Sequence, residues 1–113
     1  MTTFRLLEFY DQPKPVPAGV RGIPDPNVRV YRWRFSARSG ERLITPGESF
    51  TEPRGAVENV CDALALHLRS DVRIHDPRWR RRVAVHLARL DDLGEAERIL
   101  VFERRLAGEE LPE

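Results

Sequence analysis

A chain of 113 residues builds one domain with a single modest core. An apolar share of 41% beside 33% charged residues excludes a disordered chain and describes a folded, heavily solvated one. A net charge of +1 excludes a global field that would draw the chain onto nucleic acid or membrane, and a single cysteine, Cys61, excludes an intrachain disulfide and a cysteine-based metal site.

The charge is unevenly spread. Residues 1–70 carry 10 positive and 8 negative charges, residues 71–90 carry 6 and 2, and residues 91–113 carry 3 and 8. A basic segment followed by an acidic one predicts a salt-bridged pair of helices, or else two separate interaction surfaces. Arginine supplies 18 of the 19 cations, with Lys14 the exception. That bias reads as the codon usage of a GC-rich bacterial or phage genome, with bidentate recognition of phosphate or carboxylate as the functional alternative.

Thr3 to Tyr10, rich in aromatic and apolar residues, predicts a first strand. Asp11 to Asn27 then holds Pro13, Pro15, Pro17, Pro24 and Pro26 together with Gly19 and Gly22, which predicts a long irregular loop. Val28 to Ala37 alternates as a second strand. Val30, Arg32, Arg34 and Ser36 fall on one face, Tyr31, Trp33, Phe35 and Ala37 on the other. Arg29 falls on the second face by the same parity. Ser39-Gly40 predicts a turn, Glu41 to Thr45 a third strand, and Pro46-Gly47 its end. The three strands form an antiparallel sheet with one buried and one arginine-bearing face.

A helix is expected over about Thr51 to Arg69, with Thr51 as N-cap, Pro53 in the first turn, and Val57, Cys61, Leu64 and Leu68 on its apolar face, widened by Val60. Asp76-Pro77 starts a second helix to about Leu90, with Asp76 as cap and a stripe of Trp79, Val83, Leu87 or His86, and Leu90. Asp92-Leu93-Gly94-Glu95 has the spacing of a capping box for a third helix to about Leu106. The expected class is α+β: a three-stranded antiparallel sheet packed by one helix, followed by a C-terminal helical hairpin over 76–107. No apolar run approaches the length of a membrane span, and residues 1–10 lack the apolar core of a leader, so a cytoplasmic setting is expected.

Phe9-Tyr10-Asp11, Tyr31-Arg32-Trp33-Arg34-Phe35, Ser39-Gly40, Ile44 and Gly47-Glu48-Ser49-Phe50, with the helix after them, resemble the YegP-like family of small bacterial and archaeal proteins. The similarity covers about residues 4–68. It implies a strand-strand-strand-helix unit, here with a proline-rich insertion over 12–27 and the helical segment added behind it, all within one domain. Three features depart from the family pattern: the insertion itself, Ser49 where the family has glycine, and one repeat where many members carry two. Two-repeat members cover a sheet edge with the second repeat. A single repeat therefore implies a homodimer, unless the added helices cap the sheet. The family's function is not established, so the resemblance implies a fold and no activity.

No catalytic constellation is evident. His67, His75 and His86 match no local zinc spacing, Cys61 sits on an expected buried face, and Glu48 has no partner carboxylate. We therefore expect a non-catalytic interaction or regulatory protein without a cofactor. Its candidate partner-binding loop is Pro13, Lys14, Pro15, Val16, Pro17 and Arg21. The alternative is a nucleic-acid binder using Arg32 and Arg34 on the strand with Arg78, Arg81 and Arg82 on the second helix. Trp79, among those helix arginines, is expected in the core, and the acidic third helix is expected to neutralise several of them.

Overall fold

The computed structural model describes residues 4–37, 42–44, 47–90 and 95–108. Its elements run β1 (Arg5–Pro13), β2 (Arg29–Ala37), β3 (Arg42–Ile44), α1 (Pro53–Leu64), a 3-10 turn (Leu66–Leu68), β4 (Val72–Arg73), α2 (Pro77–Arg89) and α3 (Glu95–Ala107). The protein is α+β, as its patterning predicts. Its sheet order is β3-β2-β1-β4. The first three strands pair antiparallel, whereas β4 joins β1 in parallel, so the sheet is mixed and not purely antiparallel.

The β1–β2 ribbon is longer than the sequence predicts. Phe9 pairs with Trp33, Asp11 with Tyr31 and Pro13 with Arg29, so three residues assigned to the loop belong to the strand. Pro13 is tolerated by parity. Lys14 N–H donates to Val28 C=O, and the Tyr31 backbone turns outward to exchange both hydrogen bonds with Phe50. Position 13 therefore falls in a non-hydrogen-bonded pair, where the missing N–H costs nothing. Arg29 and Asp11, on one face across the two strands, form an ion pair at 2.9 Å.

One sheet face is dry. Leu7, Trp33 and Phe35 are fully buried against the helices, in a single cluster that runs from Leu7 through Val57, Cys61, Trp79, Val83 and Leu87 to Phe102 and Leu106. Trp79 is core, stacked on Phe9 with centroids 4.4 Å apart and planes 4° from parallel, and edge-on to Tyr31. Trp33 Nε1–H donates to Asn59 Oδ1 at 2.9 Å, which fixes α1 on the sheet. The opposite face is not an open arginine surface. Val30 and Ser36 are buried on it, and Arg34 donates to Glu8 at 3.2 Å while lying over the Tyr10 ring.

Three further expectations are corrected. Helix α1 ends at Leu64, not Arg69: Ala65 takes a left-handed conformation (φ 49°, ψ 51°). The break turns the chain so that Leu66 is buried and Leu68 is 78% exposed, off the core face assigned to it. Thr51 is not the cap, since Glu52 occupies that position and makes no side-chain cap bond. Leu90, expected on the α2 stripe, is exposed beyond the helix end. Asp76 caps α2 as predicted, its carboxylate accepting from Arg78 N–H at 2.9 Å. Helix α3 spans Glu95–Ala107, close to expectation, and its end lies against the end of β4, where Ile74 N–H donates to Leu106 C=O. The expected Ser39-Gly40 turn and Asp92 capping box lie outside the described residues.

Candidate functional site: a groove between α1 and α2

Helix α2 reads differently on its two sides. Trp79, Val83, Ala84, Leu87 and Ala88 face the core. Arg78, Arg82, Val85 and Arg89 recur at i, i+4, i+7 and i+11, which places them in one outward stripe. The N-terminus of α1 comes up beside this stripe because Gly55 sits on the Phe50 ring; a Cβ there would meet Phe50 Cδ1 at 3.1 Å. Phe50 is held in turn by its hydrogen bonds to Tyr31. The result is a groove of about 460 Å³ with a floor of Pro53, Val57 and Val85. Arg81, Arg82, His86, Arg89, Arg54 and Glu52 form its walls.

These cations are in different states. Arg54 donates to Glu58 Oε1 at 2.8 Å, and that hydrogen bond pushes its pKa up. Arg81 bonds Glu103 of α3, an instance of the expected neutralisation by the acidic helix. Arg82 lies 4.8 Å from the Trp79 ring centroid and makes no carboxylate contact among the described residues. Arg89 is exposed and likewise has none. Glu52, at the cap position of α1, offsets the positive end of that helix, so the attraction for an anion rests on Arg82 and Arg89. The groove therefore offers an apolar strip between cations to a ligand that is apolar and anionic.

The predicted site residues do not form one surface. Arg32 and Arg34 lie on the sheet face away from the helices, whereas Arg78, Arg81 and Arg82 lie on α2, which covers the other face. Arg32 is half-buried and Arg34 is bonded to Glu8. Arg78 has a side chain 85% exposed and stands 3.6 Å from Asp76. Arg80, in the same run, is structural: its guanidinium donates to the carbonyls of Ile74 and His75. In the candidate loop, Pro13 ends β1, Val16 is half-buried, and Lys14, Pro15, Pro17 and Arg21 are exposed. Pro53, Val57, Val85 and Arg89 were not picked out from the sequence as site residues. The legible signal was the second, outward stripe of α2; the approach of α1 to it depends on Gly55 and has no local mark.

Cys61 is buried, and desolvation pushes its thiol up to about 12, so it behaves as a small apolar residue. His67, in the 3-10 turn, and His75, in the segment before α2, are both exposed, and His86 lies on the groove wall. Glu48 is exposed in the segment before α1. No group of three or more potential metal ligands occurs among the described residues, and no helix among them is long and apolar enough to cross a membrane. No family model, curated protein or solved structure matches the chain.

Proposed function

We propose that this protein is a non-catalytic interaction module that holds a protein partner in the α1–α2 groove. The observation that carries the reading is the combination of an apolar floor, Pro53, Val57 and Val85, with two arginines that have no carboxylate partner among the described residues, Arg82 and Arg89. A polyanion alone leaves such a floor wet, whereas a segment that alternates acidic and apolar side chains fills both parts. The reading uses no cofactor, treats the chain as cytoplasmic, and keeps the YegP-like strand unit as a scaffold and not as a source of activity.

The test is fluorescence anisotropy with a labelled synthetic peptide alternating Asp or Glu with Leu or Ile. Wild type is expected to bind it, and the double substitution Arg82→Glu, Arg89→Glu to weaken binding by about tenfold or more. Equal binding by both proteins, or no binding by wild type, overturns the reading.

A second reading, nucleic-acid binding, is favoured by one observation: Arg78, Arg82 and Arg89 share a single exposed stripe of α2. Three phosphate contacts to duplex DNA predict a slope of about −3 in log affinity against log salt, reduced by about one unit in Arg78→Ala. Arg32 and Arg34, on the far face of the sheet, are expected to leave that slope unchanged.

A further inference from the structure

The ribbon beyond the Phe9–Trp33 pair carries a loop, residues 14–28, in which only Val16 is even half-buried. It is nonetheless shaped. Val20 N–H donates to Pro17 C=O, Val28 N–H to Asp25 C=O, and Asn27 N–H to Asp25 Oδ1, while Lys14 N–H closes its base on Val28 C=O. Gly19 supplies the positive φ (84°) of the Pro17–Val20 turn, and Gly22 (147°) lies between the two turns. At the apex the loop presents Arg21, Ile23 and Asp25 in alternation, with Ile23 92% exposed and Val20 also largely in water. A bulky apolar side chain held at the tip of a shaped loop and flanked by opposite charges is a plug without a socket.

The socket of matching chemistry is the groove. Ile23 suits the floor of Pro53, Val57 and Val85, Asp25 suits Arg82 and Arg89, and Arg21 suits Glu52 at the rim. The loop does not occupy its own groove, since Ile23 stands in solvent. The positions of plug and socket make a second copy the fitting occupant. Trp79, under Arg82 on the groove wall, stacks on Phe9 at the root of the ribbon. From Phe9 to the ribbon end at Pro13 is four residues, about 13 Å, with the loop beyond. Two copies laid antiparallel bring each tip to the other's root, and the exchange closes with two-fold symmetry.

We infer that the protein forms a reciprocal dimer in which the loop of each copy, through Ile23 and Asp25, seats in the α1–α2 groove of the other. This rests on the groove being a site for a protein segment that brings an apolar and an acidic side chain, and it names the chain's own loop as that segment, with Ile23 the apolar member and Asp25 its one carboxylate. Each groove is then incomplete in the monomer, and any other acidic partner competes with self-association.

Charge exchange tests it. Asp25→Arg puts a cation on the loop, and Arg82→Glu with Arg89→Glu puts anions in the groove. All these positions are exposed, and circular dichroism is the check that both variants remain folded. In sedimentation equilibrium from about 1 µM to 1 mM, wild type is expected to dimerise, and each variant alone to dissociate about tenfold or more readily. An equimolar mixture of the two is expected to recover the dimer. In that heterodimer an arginine loop meets an acidic groove and a native loop meets a native groove, so both contacts are attractive, whereas in either homodimer both are repulsive. A wild type that stays monomeric, variants that dimerise as wild type does, or a mixture that remains monomeric each overturns the inference. The labelled acidic peptide separates the two levels. If it binds a monomeric wild type, the groove reading survives and self-docking falls; if it also fails, both fall.

Discussion

The root and the tip of the β1–β2 ribbon both carry bulky apolar side chains and give them opposite fates. At the root, Leu7, Trp33 and Phe35 are sealed under α1 and α2, and Phe9 carries the Trp79 ring. At the tip, Val20 and Ile23 remain in water. What buries the apolar side chains of one and not of the other is a second layer. A two-stranded ribbon has no partner surface of its own, and its apolar residues are buried only as far as the helices reach. Side chains at the root therefore act on stability, and side chains at the tip are left available for association.

The largest expected effect is at the root. Trp33→Ala removes a fully buried ring and the hydrogen bond to Asn59, and is expected to cost about 3–5 kcal/mol by urea denaturation, much of the stability of a domain this size. A change below about 1 kcal/mol would mean that the root is no better packed than the tip. Asn59→Ala keeps the ring and orphans its N–H, so about 1–3 kcal/mol is expected, and Trp33→Phe in that background should recover part of it.

The helix that lays Trp79 on the root depends on its cap. Asp76→Ala is expected to cost about 1 kcal/mol at about pH 7. The Arg78 N–H that it accepts holds the Asp76 carboxyl below the ordinary aspartate range. A depressed folded value means that the contribution is present above the unfolded value, near 4, and is lost as pH falls through the folded one. The gap between wild type and Asp76→Ala should therefore narrow as pH falls from about 7 to about 3, and a constant gap would sink this account.

Ala65→Gly removes a side chain from left-handed backbone at the end of α1 and should raise the urea midpoint by about 0.5–1 kcal/mol in stability. Smallest of all, Ile23→Ser at the tip should change stability by less than about 0.5 kcal/mol. A larger loss from the monomer would place Ile23 in a core, against its exposure.

Much of this division was written locally and some was not. The alternation in β2, the Asp76-Pro77 start of α2 and the core position of Trp79 follow from periodicity and capping. The extension of β1 to Pro13 was hidden by Asp11, Gln12 and three nearby prolines, which read as loop. It forms because ladder pairing with 29–31 and the Asp11–Arg29 ion pair outweigh weak local propensity. Strand β4 is two residues long and carries no periodic signal; it exists because Arg5 N–H finds Asp71 C=O and Arg73 ties to Arg105 C=O at the end of α3. The overrun of α1 came from Leu64-Ala65-Leu66-His67-Leu68, helical by composition. Burying both Leu64 and Leu66 requires the left-handed step at Ala65. The groove was half legible: the α2 stripe is in the sequence, but the wall made by α1 comes only from tertiary packing.

The stack of Phe9 on Trp79 has a consequence for how the chain is made. The partners stand 70 positions apart, and the parallel pairing of Arg5 with Val72 spans nearly as far. A nascent chain that has emerged only through α1 holds a ribbon whose inner face still lacks α2. Closing these long loops comes before the contacts that reward it, so the search is slow relative to a helical bundle of this size. During synthesis the exposed aromatic face of β1 and β2 is the segment a chaperone would meet first, and a product truncated before α2 should be cleared by proteolysis and not accumulate as a folded fragment.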